Sequence, residues 1–487
     1  MVFTSTVFLF LFLPAFLAVY ALLPTRARTT WILLASYAFY AWWRLDFALI
    51  FVASTVAAYA VGTAVARLRH DHRAARRVLA LGVTLQLATL AYFKYAEFGV
   101  ASLNALLTSL GGTPLPMISV ILPIGISFYV FQAISYMVDV WRDDAPEGAR
   151  FVDVAAYIAL FPQLIAGPIV RYKHLAHQLR APRSSLAMVA EGSQRFMLGF
   201  CKKVLIADAL APIADGAFAL SSPTMVEAWI GTLAFAAQLF FDFSGYSDMA
   251  IGLGLLLGFR FRENFARPYL AASITEFWQR WHMSLSRWLR DYVYIPLGGN
   301  RLGPQRTYVN LLLVMLLGGL WHGAAWVFVA WGAWHGGLLA LERLRRDRRE
   351  AHGDGEVDAP RPRIVARAGT FVLVLIGWVL FRSADVTHAS AMYAGMLGLH
   401  GFGMSAELAW QLAPRSLVTL VVAYVLIFFP TPLREAETLP DDAAAPPPPA
   451  WQLRAERALT AALVPLFALG LMRAVADSFS PFLYFRF

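Results

Sequence analysis

A histidine stands inside the apolar run Gly318-Gly319-Leu320-Trp321-His322-Gly323-Ala324-Ala325-Trp326. An ionisable side chain at membrane depth is costly, and it marks a bundle interior or a wet cavity. Neutral imidazole takes a proton from one group and later returns it, because its ordinary pKa lies near physiological pH. His322 is therefore a candidate general base; the competing reading is a histidine that only hydrogen-bonds a neighbouring helix. Gly318, Gly319, Gly323 and Ala324 let a ligand or another helix approach the backbone closely. His335 follows about 220° further round an unbroken helix, so the two rings would not face one cavity, and His335 reads as structural.

A second constellation runs from Arg260 to Arg301, where seven arginines meet Glu263, Glu276 and Asp291 among Phe277, Trp278, Trp281, Trp288, Tyr292 and Tyr294. It is too polar to span a bilayer. Phe277, Trp278, Trp281, Met283, Leu285, Trp288 and Leu289 recur at near-helical spacing, with Arg280, Arg287 and Arg290 on another side. That pattern predicts an amphipathic helix at the interface or at a cavity mouth. The bland reading is a cationic interfacial helix with a tryptophan belt. A functional reading adds a polyanion site, since arginine forks suit the phosphates of a coenzyme or carrier.

Other chemistries find little support. No HExxH occurs, and His174 and His177 lie in a basic loop without a third ligand, so no metal site is expected. No Walker, dinucleotide or Gly-x-Ser-x-Gly pattern is present. Cys201 is the single cysteine, which excludes an internal disulfide and a cysteine zinc site.

The elements that must position these residues are membrane helices. Of 487 residues, 59% are hydrophobic and 15% charged, and the mean hydropathy is +0.57. Soluble domains carry roughly 25% charged residues, so this composition describes an all-α polytopic integral membrane protein. The net charge of +10 does not indicate nucleic-acid binding, because the arginines flank apolar runs, as cytoplasmic loops do. The run Val2–Leu23 lacks a basic n-region and reads as a retained helix. Further spans are expected at about 30–43, 47–66, 78–96, 117–140, 192–215, 227–257, 309–341 (broken or paired), 364–381, 415–430 and 458–476, roughly ten to twelve in all. The stretch 153–169, with Pro162, Gly167 and Pro168, fits a re-entrant or interfacial segment. Arg26 and Arg28, the run Arg67–Arg77 and Arg343–Arg349 should face the cytoplasm, which places the N-terminus outside. A charged loop at 343–363 and a Pro-rich loop at 431–450 read as linkers.

Six ordered landmarks, Leu122–Gln132, Phe161–Ile169, Asp242–Ala250, Asn264–Tyr269, Phe277–Ser286 and Leu320–Trp326, resemble the membrane-bound O-acyltransferase family and its bacterial alginate O-acetylation branch. The likeness covers nearly the whole chain. It implies one membrane domain over 1–487, a helical bundle around a central tunnel, and acyl transfer to a hydroxyl. His322 matches the family's catalytic histidine and His282 its second polar position. Arg280, Arg287, Trp281, Gln163, Asp242, Ser244, Tyr246, Asp248 and Trp326 are the expected donor- or substrate-binding residues. The donor would be acetyl-CoA or another acyl thioester, with no tightly bound cofactor. The expected partners are membrane lipid, a periplasmic acyltransferase and a polysaccharide acceptor, and the expected location is the bacterial inner membrane. D-alanyl transfer to a teichoic-acid-type polymer, export of acylated polymer and a scaffold role are the rivals.

Overall fold

The computed structural model describes residues 2–145, 148–165, 167–352, 363–429, 450–476 and 482–483. Every regular element among them is helical, mostly α with short π and 3₁₀ turns. The helices Leu45–Arg67, His72–Ser109, Met225–Leu256 and Arg363–Arg382 are long and apolar enough to cross a bilayer; Phe8–Leu22, Pro414–Phe428 and Thr460–Ala476 are apolar but shorter. The chain divides into two units, Met1–Phe196 with Asp248–Arg262, and Met197–Ser247 with Glu263–Phe487.

In the first unit, Pro24 separates the helices Leu13–Leu22 and Thr25–Ala41, since its ring fixes an extended entry to the second. Asp71 caps His72–Ser109 by accepting the N–H groups of Arg73 and Ala74, both at 3.0 Å. Ser54 and Gln86 join the two long helices through bonds of 2.7 and 3.0 Å. The expected span 117–140 is helical only over Ile126–Trp141. Gly125 ahead of it is left-handed at φ +72, which ends the helix there, and a Cβ at that position would stand 2.7 Å from the carbonyl oxygen of Leu164, so glycine suits it. The stretch 153–169 is a helix, Phe151–Ala159, a bend at Leu160 and the single turn Phe161–Leu164. Nearly all of those residues are buried in protein, the condition under which irregular backbone persists in a membrane.

In the second unit, the predicted run 309–341 is a hairpin of Pro304–His322 and Trp326–Ala351 that turns at Gly323. Small residues make the close pairing feasible. A Cβ on Gly332 would lie 2.5 Å from the carbonyl oxygen of Met315, and one on Gly319 would overlap that of Phe328. The expected linker at 343–363 needs correction: its first nine residues finish the helix Trp326–Ala351. Arg343 and Asp347 pair one turn apart at 2.8 Å, and the Tyr308 hydroxyl donates to Asp347, which keeps the charged segment helical. Residues 353–362 and 430–449, with the rest of the Pro-rich loop expectation, lie outside the described residues.

Candidate active site

The amphipathic helix expected across 274–290 is two helices, Ile274–Arg280 and Met283–Leu289. The break falls at His282, whose backbone is left-handed at φ 44 and ψ 50. A non-glycine residue held there stores roughly 1–3 kcal/mol and needs support from its surroundings. The preceding helix is fastened at its start by Glu342, whose carboxylate accepts the N–H groups of Ile274 and Thr275 at 2.7 and 2.9 Å and the Thr275 hydroxyl at 2.7 Å. Glu342 lies on the second helix of the hairpin that bears His322, so the segment carrying His282 is tied to that hairpin.

His282 is 1% exposed. Its ring meets Phe243 edge-on at 4.7 Å and stands 5.9 Å from Trp321. Neither ring nitrogen has a hydrogen-bond partner among the described residues. His322, 5% exposed, ends its helix where Gly323 turns the chain. Trp331 and Phe381 pack edge-on against it at 5.3 and 5.1 Å. These rings exclude bulk water, which strengthens any electrostatic interaction made inside.

His322 opens onto a cavity of ≈ 10 Å³, room for about one water, lined by Leu239, Asp242, Phe243, Trp281, Trp331, Trp378, Phe381, Phe482 and Leu483. Asp242 supplies the carboxylate of this lining. Its Oδ1 receives a salt bridge from Lys203 at 2.9 Å, and its Oδ2 accepts the N–H of Leu483 at 2.8 Å. Lys203 also contacts Asp208 and is 3% exposed. Both charges of the Lys203–Asp242 pair are buried, and pairing is what makes that tolerable. One carboxylate thus joins a buried lysine to the Phe482–Leu483 segment. Phe482 adds ring contacts to Phe243 at 5.7 Å and Tyr246 at 4.8 Å.

Of the residues expected from the sequence, the cavity gathers His322, Asp242 and Trp281, with His282 and Tyr246 packed against its walls. Ser244 is buried on Met225–Leu256 four residues before Asp248, and it does not line the cavity. Asp248 and Gln163 belong to the first unit, where Asp248 pairs with Arg195 at 2.7 Å and the Gln163 amide donates to the Tyr157 carbonyl at 2.8 Å. Arg280 pairs with Glu276 at 2.6 Å. Arg287 is outside the cavity lining, and so is Trp326, which is 59% exposed. His335 is fully buried between Trp278 and Trp331, with ring centres 5.2 and 5.0 Å away, and it too lies outside the lining. Sequence reasoning missed Lys203, which falls inside the span expected at 192–215, and the apolar lining from Leu239, Phe243, Trp331, Trp378, Phe381, Phe482 and Leu483.

The membrane-bound O-acyltransferase family's sequence profile matches residues 36–352, and the chain belongs to that family. It is a multi-pass membrane O-acyltransferase of the alginate O-acetylase branch. It is 50% identical to the probable alginate O-acetylase AlgI of Azotobacter vinelandii, with all of both chains covered. The same identity and full coverage hold for the protein of that name from Pseudomonas putida. The peptidoglycan O-acetyltransferase of Helicobacter pylori is 35% identical over 83% of this chain and 81% of its own.

Proposed function

We propose that the chain moves an acetyl group from a cytosolic thioester, of the acetyl-CoA class, toward an exopolysaccharide outside the cell, with His322 as the base. The imidazole takes the proton of the acceptor hydroxyl as its oxygen attacks the thioester carbonyl. The C–S bond then breaks, and the departing thiolate takes the proton back from the imidazolium. An N–H of the His282 ring donates to the carbonyl oxygen as negative charge grows there. Arg280 and Arg287 serve the donor's phosphates. A periplasmic acyltransferase receives the acyl group, and the enzyme sits in the inner membrane with its N-terminus outside.

The observation that carries this reading is the placement of His322: buried, at a helix end, open to a small cavity and adjacent to a second histidine. The test is acetyl incorporation from radiolabelled acetyl-CoA in membrane vesicles carrying His322→Ala or His322→Gln. Loss of incorporation with normal membrane insertion is expected. Normal acetylation in either variant would rule out His322 as the base.

A further inference from the structure

The geometry points to Asn264 as the residue that positions His282, an inference that rests on the role given to His282 above. Four bonds join this one buried asparagine to its surroundings. Its main-chain carbonyl accepts the N–H of Met283 at 2.9 Å. Its side-chain oxygen accepts the N–H of Ser284 at 3.2 Å and the Ser284 hydroxyl at 2.8 Å, and its Nδ2 donates to the Ser247 hydroxyl at 3.1 Å. Two residues further on, the N–H of Ala266 donates to the carbonyl of Arg280 at 2.9 Å. The segment 264–266 therefore grips the backbone on both sides of His282, the position where the helix breaks and φ turns positive.

Ser247 stands four residues after Phe243 on one helix, so the two share a face. Phe243 packs against the His282 ring and Ser247 holds Asn264. Ring and backbone of His282 are thus referenced to the same helical surface. Asparagine suits the task because one amide supplies both the acceptor that Ser284 needs and the donor that Ser247 needs. Removal of that amide frees the left-handed turn to relax and swings the imidazole off its line. Misplacement of a reacting group by about 1 Å costs on the order of a hundredfold in rate.

The test measures acetyl transfer from acetyl-CoA in membrane vesicles that carry the full-length enzyme together with its periplasmic acyltransferase partner and a soluble polysaccharide acceptor. Asn264→Ala is expected to lower kcat about ten- to a hundredfold with KM held within about twofold. In a His282→Ala background the same change is expected to add less than about twofold, because a residue that acts through His282 has nothing left to place. Ser284→Thr, which keeps the hydroxyl, is expected to stay near wild type. If Asn264→Ala does not accumulate in the membrane, Ser284→Ala replaces it, with a smaller kcat loss that again disappears in the His282→Ala background. Wild-type kcat in Asn264→Ala, or a loss that multiplies in full with that of His282→Ala, overturns the inference while leaving the role of His282 intact. Full activity in His282→Ala removes that role, and this inference with it.

Discussion

The imidazole rings of His282 and His322 lie 6.3 Å apart, centre to centre, with their planes inclined by 52°. At that separation their nitrogens are roughly 4 Å apart or more, beyond the ~3 Å of a direct hydrogen bond. The rings therefore do not hydrogen-bond directly to each other, and in the proposed reaction each would act separately.

Their substitutions should differ accordingly. His322→Ala is expected to reduce acetyl transfer by about a thousandfold or more, and His282→Ala by about ten- to a hundredfold, in keeping with loss of a base and of one carbonyl donor. Initial rates from labelled acetyl-CoA measure both.

Arg280 and Arg287 are expected to act on binding. Each change to Gln should raise the apparent KM for acetyl-CoA about three- to tenfold with kcat nearly unchanged, as uniform binding terms do. Steady-state kinetics at varied donor concentration decide it, and an unchanged KM would leave both arginines as interfacial charges.

The buried ion pair makes a sharper stability prediction. Lys203→Met leaves the Asp242 carboxylate buried without its cation and should cost about 3–5 kcal/mol. The double variant Lys203→Met with Asp242→Asn removes both charges and should be the more stable of the two. Thermal unfolding in detergent gives the order; a double variant less stable than Lys203→Met would contradict it.

Glu342→Gln should cost about 0.5–2 kcal/mol, because a neutral amide accepts the Ile274 and Thr275 N–H groups less well than a carboxylate at a helix start. A lowered Tm is expected.

The sequence singled out His322 as an ionisable group in an apolar run, and the structure places it on the buried cavity. The hairpin around it was legible too, from its glycines and its hydropathy. The break at His282 was not, since the apolar spacing of Phe277, Trp281, Leu285 and Trp288 passes straight through it. That break depends on Asn264, whose bonds to Met283 and Ser284 leave no periodic signal. Asp242 could be nominated from its motif, yet its partners Lys203 and Leu483 lie 39 residues before it and 241 after it, and nothing in the spacing joins them. Trp326 belongs to the same motif as His322, but a turn of the chain between them sends it outward.

The one-water volume beside His322 has a dynamic consequence. The cavity admits about one water as it stands, so if His322 is the base, entry of an acyl group would require its aromatic neighbours Trp378, Phe381 and Phe482 to shift. Trp378 and Phe381 are buried among other rings, so such a shift would involve the helices that carry them. Bilayer fluidity should then set the pace of turnover even when the basicity of the imidazole is untouched.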